Sequence, residues 1–335
     1  MSWKVALGLG LAAVTIAAPA AAQTPPKRYT SLVVFGDSLV DAGNIRFLNA
    51  GANPQQGYFD GRFTNGYDYT DLLSQRLFGA PTLASLRGGT NFAYGGARAS
   101  NTTPSMVVRD LEEQLADYTT YLGTGRAADP NGLYILNFGG NDIFAAASPG
   151  VPAGFASDSA FLLNAANIYA QGVQALNDKG ARNILITGFP NSTPGPQLNA
   201  SLEAQGYLNT ALAGLSLSGD TTLFRFSYLD FFGRLSANPT AFGFAGPLIL
   251  PDASRPDRGT CQGAGRPDGC PGYFSFDGVH PTAAVQAALF RDIDRQFNLT
   301  AGVPEPGTWL MLIAGVGMTG GALRYRRRST RVAFA

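Results

Sequence analysis

The chain has 335 residues, of which 45% are apolar and only 14% charged, with 42 glycines and 21 prolines. A soluble domain carries about 25% charged residues, so this surface relies on neutral polar groups, and the apolar content excludes a disordered chain. No collagen repeat, sustained heptad or series of long apolar runs occurs, which excludes fibrous and multi-span membrane classes. The formal net charge of +1 offers nothing to nucleic acid. That balance is uneven. The first 22 residues hold one base and no acid, and the stretch from Arg324 onward holds five arginines and no acid. Between them 18 bases face 23 acids, a mildly acidic body at −5.

In chain order, Lys4 precedes the apolar run from Val5 to Ile16, followed by Ala17-Ala18-Pro19-Ala20-Ala21-Ala22. A cationic start, a short apolar stretch and small residues before a cut predict a secretory signal over 1–22, cleaved after Ala22. Residues 23–302 then suffice for one large α/β domain. Ser31 to Phe35 is a β-branched and aromatic run stopping at Gly36, and predicts a buried strand. Met106 to Leu122 predicts a helix through Val107, Leu111, Leu115 and Tyr118 at spacings of three and four. Leu133 to Phe138, ending at Gly139-Gly140, repeats the strand pattern. Phe161 to Leu176 is helical through Phe161, Ala165, Ile168, Gly172 and Leu176. Asn183 to Thr187 and Thr221 to Phe226 are further strands, and Ala283 to Phe297 is a final helix presenting Ala283, Ala287, Phe290, Ile293 and Phe297. Strands alternating with helices predict a parallel sheet covered on both faces. Ligands in such folds sit beyond the carboxyl ends of the strands.

Cys261 and Cys270, the two cysteines, lie nine positions apart in a Gly/Pro/Asp-rich loop. In an oxidising compartment they pair, and so small a closed loop contributes roughly 2–3 kcal/mol. With no histidine nearby in sequence they make no zinc site. The chain ends on Val303-Pro304-Glu305-Pro306, an uncharged stretch Gly307 to Leu323, and Arg324-Tyr325-Arg326-Arg327-Arg328. Seventeen uncharged residues span about 25 Å as a helix, marginal for a bilayer, with the arginines holding the far end in the cytoplasm. This order, over 303–335, resembles the PEP-CTERM sorting tail of exported Gram-negative proteins, in which Pro-Glu-Pro marks the cut of an exosortase-type enzyme. The alternative is a plain anchor helix with a basic stop. Both readings put the body outside the cytoplasmic membrane: periplasmic, on the cell surface or secreted.

The strand ends supply the chemistry. Gly36-Asp37-Ser38-Leu39 follows the first strand, and a serine there is exposed at the sheet edge, as a helix N-cap or as a nucleophile. The Gly-x-Ser-x-Gly elbow is absent. His280 is the one histidine, three residues after Asp277, a spacing that lets the carboxylate take one ring nitrogen while the other faces outward as a base. Donors for a developing oxyanion are available in Gly95-Gly96 and in Asn141, each of which also suits turn or cap chemistry. Tyr58, Phe59, Phe63, Tyr67 and Tyr69 cluster after the serine and suit loop packing or an acyl or sugar site.

The ordered set Gly-Asp-Ser-Leu at 36–39, the glycine block 89–97, Gly139-Gly140-Asn141-Asp142 and Asp277-x-x-His280 resembles the GDSL, or SGNH, esterase/lipase family. Asp37 to Asn44 resembles its phospholipase/lecithinase-like branch, and Gly188-Phe189-Pro190 and Asn238 to Phe244 echo further landmarks. The resemblance implies a three-layer α/β/α flavodoxin-like fold around a central parallel sheet. It implies Ser38 as nucleophile, His280 as base then acid and Asp277 as its orienter. The Ser38 N–H, the Gly96 N–H (or Gly95, one residue away) and the Asn141 side chain would form the oxyanion hole. Asp37, Asn44 and Asp142 would brace loops. The implied activity is carboxylic-ester hydrolysis needing no metal or cofactor, on short-chain esters, phospholipids or acetylated glycans. Acyl transfer with the same residues, or a surface-binding protein with a decayed site, are the alternatives. Signal peptidase and an exosortase-type enzyme are the expected processing partners, with no nucleic acid.

Overall fold

The computed structural model describes residues 29–103, 105–190, 196–252, 258–265 and 269–301. The expected secretory segment 1–22 and sorting tail 303–335 lie outside the described residues. No helix among the described residues is long and apolar enough to cross a membrane.

The chain builds β1 (Leu32–Gly36), α1 (Asn44–Phe47), α2 (Tyr69–Phe78), α3 (Leu111–Leu122), β2 (Leu133–Asn137), α4 (Gly140–Ala146), α5 (Asp158–Lys179), β3 (Asn183–Thr187), α6 (Pro196–Ala213), β4 (Thr222–Phe226), α7 (Tyr228–Ala237) and α8 (Ala283–Phe297). The four strands pair in parallel in the order β1-β2-β3-β4. In β1, β2 and β3 every residue is buried, which is why they read as continuous apolar runs rather than alternating ones. β4 at the edge is partly exposed.

A further extended segment lies along the free edge of β1. The Val34 N–H donates to Thr90 O at 3.0 Å, the Phe92 N–H to Val34 O at 2.7 Å and the Tyr94 N–H to Gly36 O at 3.0 Å. Sequence patterning reads this stretch only as a glycine-rich block, because flanking glycines and polar residues mask its strand character. Its consequence is topological. The chain leaves β1 on one side and returns on the other to β2, so the crevice at the carboxyl end of β1 is a switch point, the place where open α/β sheets take ligands.

Side chains alternate between the two faces of the strands. Val33, Phe35, Tyr134, Leu136, Ile184 and Ile186 face a core with α3, α5 and α6. Leu32, Val34, Leu133, Ile135 and Leu185 face a second core with α2, α7 and α8. The fold is a three-layer α/β/α sandwich. α3 starts later than the periodicity from Met106 suggests. Asp110 flanks its start, with Glu113 accepting from the Asp110 N–H at 3.0 Å and the Asp110 carboxylate accepting from Arg98 and Thr103. Those bonds to the preceding loop hold Val107 outside the helix.

The α8 range matches its sequence reading, but its buried face does not. Val285, Gln286, Ala288, Leu289, Asp292 and Ile293 turn inward, and of the expected stripe only Ile293 is among them. Two polar residues on that face misled the pattern. Gln286 accepts from the Tyr69 N–H at 3.2 Å, and Asp292 pairs with Arg234 at 2.6 Å, so both are buried with partners.

Candidate active site

Four chain segments converge at the carboxyl edge of the sheet. β1 ends at Gly36 and runs into Asp37-Ser38, the edge segment runs into Gly95-Gly96, β2 leads through Gly139 to Gly140-Asn141 at the start of α4, and the loop before α8 carries Asp277 and His280.

The turn after β1 is held by backbone-directed polar groups. Gln114 from α3 both accepts from the Gly36 N–H and donates to its carbonyl, each at 2.8 Å. Asp37 accepts from the Leu39 N–H at 3.0 Å and from Asn137 at 3.4 Å. Asn137 in turn accepts from the hydroxyls of Tyr69 at 3.1 Å and Tyr228 at 2.6 Å. Burial pushes the Asp37 carboxyl up to about 7, against the Leu39 and Gly140 N–H bonds and the charge of His280. Asp41 accepts from the N–H groups of Gly43, Asn44, Ile45 and Gly95. Asn44 ties Asn91 O and Ala93 O to the Leu86 N–H. Asp37, Asp41 and Asn44 are thus fully engaged in shaping loops.

On this scaffold Ser38 Oγ lies 2.7 Å from His280 Nε2, though 242 residues separate them. His280 Nδ1 lies 2.6 Å from Asp277 Oδ2. The other carboxylate oxygen, Oδ1, accepts from the backbone N–H groups of Val279 at 2.9 Å and His280 at 2.8 Å. Burial opposes ionisation of Asp277, but the hydrogen bonds and charge of His280 outweigh it and hold the carboxyl well below the usual range. The imidazole rests on Phe63, their ring centroids 5.1 Å apart.

Ser38, Gly96 and Asn141 are partly exposed around this pair, whereas Gly95 is buried. The Gly95 N–H is committed to Asp41 Oδ2 at 2.9 Å. The N–H groups of Gly96 and Ser38 donate to no protein acceptor among the described residues. Gly96 adopts φ +91°, a left-handed turn that glycine enters at no steric cost. The Asn141 amide gives one hydrogen to Ala97 O at 2.9 Å and meets no second acceptor among the described residues, and Asp142 accepts from the N–H groups of Ala99 and Ser100. The start of α4 therefore grips the loop that follows Gly96.

Cys261 and Cys270 are disulfide-bonded, and their segment pairs with the histidine loop through Cys261 N–H to Ser275 O at 3.1 Å and Gln262 N–H to Phe276 O at 2.8 Å. Of the aromatic cluster, Tyr69 is core, Phe59 and Tyr67 pack on each other, and Phe63 meets the imidazole. Tyr58 donates its hydroxyl to Asp277 Oδ2 at 2.7 Å. Local sequence pattern carries no signal for that contact, since the partners stand 219 positions apart. Among the described residues no group of three or more His, Cys, Asp or Glu is arranged to hold a metal.

The pattern of GDSL-like Lipase/Acylhydrolase matches residues 32–293, and a PEP-CTERM protein-sorting motif matches residues 302–328. The chain is similar to the thermolabile hemolysin of Vibrio parahaemolyticus, 31% identical over 54% of this chain and 38% of that one. It is also similar to acetylajmalan esterase 2 of Rauvolfia serpentina, 26% identical over 77% and 87%. The chain spans about half or less of the length of the first curated relatives it matches. A family two carbohydrate esterase from Cellvibrio japonicus aligns at 19% identity and a TM-score of 0.40, covering 83% of this chain and 63% of that one. With that pattern covering most of its length, the chain belongs to the GDSL-like lipase/acylhydrolase family and carries a PEP-CTERM sorting motif behind the catalytic-type domain.

Proposed function

We propose that the protein is an exported serine ester hydrolase in which Ser38, His280 and Asp277 form the catalytic triad. The observation that carries this reading is the unbroken hydrogen-bonded line from Ser38 Oγ to His280 Nε2 at 2.7 Å and from His280 Nδ1 to Asp277 Oδ2 at 2.6 Å. Ser38 Oγ attacks the ester carbonyl as its proton passes to His280 Nε2. The carbonyl oxygen becomes an alkoxide held by the Ser38 N–H, the Gly96 N–H and the Asn141 amide. The tetrahedral intermediate collapses, the C–O bond to the alcohol breaks, and the imidazolium returns its proton to the departing oxygen. Water then repeats the sequence on the acyl-enzyme, releasing the acid and restoring Ser38. The free N–H groups of Gly96 and Ser38 support this assignment, while the commitment of the Gly95 N–H to Asp41 speaks for Gly96 over its neighbour.

The favoured substrate is an ester with an apolar acyl group. A cavity of about 530 Å³ has Met106 and Val107, of the loop that follows Gly96, in its wall together with Leu48, Leu86, Phe92 and Tyr121, while Arg109 and Asp117 add a charged pair to it. Met106 is fully exposed, and apolar surface on the loop that follows Gly96 is what supports a hydrocarbon chain as the acyl group. Export follows from the secretory signal over 1–22, the sorting motif at 302–328 and the disulfide. Signal peptidase would act after Ala22 and an exosortase-type enzyme near Pro304-Glu305-Pro306.

Ser38→Ala and His280→Ala are each expected to lower p-nitrophenyl ester turnover by at least about 10³-fold while leaving thermal unfolding unchanged. Near wild-type turnover in either variant refutes the triad. A panel of p-nitrophenyl esters of graded length tests the acyl site, and a preference for acetate over longer chains refutes it.

A further inference from the structure

Asp277 has four hydrogen-bond partners. Both bonds to Oδ1 come from its own loop backbone, at Val279 and His280. Both bonds to Oδ2 come from side chains, His280 Nδ1 at 2.6 Å and the Tyr58 hydroxyl at 2.7 Å. The imidazole and the phenol therefore compete for the same oxygen. Tyr58 is not free to swing away. Its ring meets Phe276 edge-on at 5.2 Å and Phe63 at 5.9 Å, in a small core with the Cys261–Cys270 disulfide. Phe63 in turn supports the imidazole.

We propose that Tyr58 is a positioning residue of the reaction, whose hydroxyl draws charge from the carboxylate oxygen facing His280 and so sets how readily that imidazole takes a proton. The inference rests on the triad reading above. A donor on the shared oxygen stabilises the carboxylate whatever the state of the imidazole, but leaves less negative charge to stabilise the imidazolium. His280 then stays neutral, and competent as a base, to lower pH. In the second half of each step the same imidazolium gives up its proton more readily to the departing alcohol. The titratable groups facing the imidazole are Asp277 from its own loop, Tyr58 from the segment before Phe63, and Asp37 from the end of β1. Burial and Asp277 both push the Tyr58 phenol up, so it remains a donor throughout the working range.

His280 is the one histidine of the chain, so histidine-labelled protein without an affinity tag gives a single imidazole NMR signal. Tyr58→Phe keeps the ring and deletes the hydroxyl. Its imidazole is expected to titrate roughly half a unit to one unit higher than in the wild type, the size of one hydrogen bond, and the acid limb of kcat/KM for p-nitrophenyl butyrate moves with it. 3-Fluorotyrosine at position 58, a stronger donor of the same shape, shifts both downward and carries the test should Tyr58→Phe not fold. An imidazole titration unmoved in Tyr58→Phe, or raised by the fluorotyrosine, overturns the proposal. A uniform fall in turnover with both titrations unmoved overturns it too, because that is what lost packing alone produces. Failure of the triad reading looks different: Ser38→Ala or His280→Ala keeps its turnover, whatever the NMR titration shows.

Discussion

A serine hydroxyl near neutral pH is a weak nucleophile, and Ser38 lies in the turn after β1, where it caps no helix, so what sets it apart is what surrounds it. Three buried carboxylates nearby hold backbone N–H groups: Asp37 that of Leu39, Asp41 four of them, and Asp142 those of Ala99 and Ser100. Among the described residues, the N–H groups of Ser38 and Gly96 and one hydrogen of Asn141 meet no acceptor. Asn141→Ala is expected to lower kcat by about 10²-fold with KM little changed, as for loss of one oxyanion donor. Steady-state kinetics on a chromogenic ester measures the split, and an unchanged kcat removes Asn141 from the hole. Asp277, Ser38 and His280 carry sequence signals because glycine turns and a three-residue spacing mark them. Tyr58 carries none, because its hydrogen bond to Asp277 joins residues far apart along the chain.

At the scale of elements, the site depends on how strand ends turn. Gly139, at the start of α4 just after β2, has φ +112°, and a Cβ there would lie 2.4 Å from Phe189 Cδ1. Gly139→Ala is expected to cost about 2–4 kcal/mol in urea unfolding, combining backbone strain with overpacking. Gly79→Ala, at φ +82° with open space around it, keeps only the backbone part, about 1–2 kcal/mol. Equal losses at the two positions argue against the Phe189 clash.

The loop carrying Asp277 and His280 has no regular structure and is held instead by the disulfide segment beside it. Replacing Cys261 and Cys270 together by alanine is expected to cost about 2.5 kcal/mol for a closed loop of nine residues, and to bring heat inactivation to lower temperature. A half-life at elevated temperature equal to that of the wild type would show that the loop stands without its clamp.

Across the described residues, three buried carboxyls, Asp37, Asp41 and Asp68, are in no salt bridge. Burial pushes Asp37 up to about 7 and Asp41 to about 6, and raises Asp68, whose Oδ2 has no hydrogen-bond partner. In the unfolded chain these groups ionise near pH 4, so between about pH 4 and pH 7 the folded protein binds more protons than the unfolded one. Their contribution to stability is present in full below about pH 4 and fades as pH rises through 6 and 7. The melting temperature is expected to fall between pH 5 and pH 8, and Asp68→Asn, which keeps the cap of α2, to flatten that fall. Differential scanning calorimetry across this range is the check, and a melting temperature rising toward pH 8 contradicts it.

The sequence by itself determined what is local. Apolar runs ending in glycine are three of the four strands, three-and-four spacing found three of the helices, and the Gly-Asp-Ser-Leu, Gly-Gly-Asn-Asp and Asp-x-x-His blocks marked side chains that meet at the sheet edge, since each feature is carried within a few neighbouring residues. Tertiary structure decided what depends on pairing across the chain. It laid Thr90 to Tyr94 along β1, turned a different face of α8 inward around the partnered Gln286 and Asp292, committed the Gly95 N–H to Asp41 and brought Tyr58 to Asp277. Hydrogen bonds between residues hundreds of positions apart leave no trace in local pattern. Only packing of the layers sets which donor meets which acceptor.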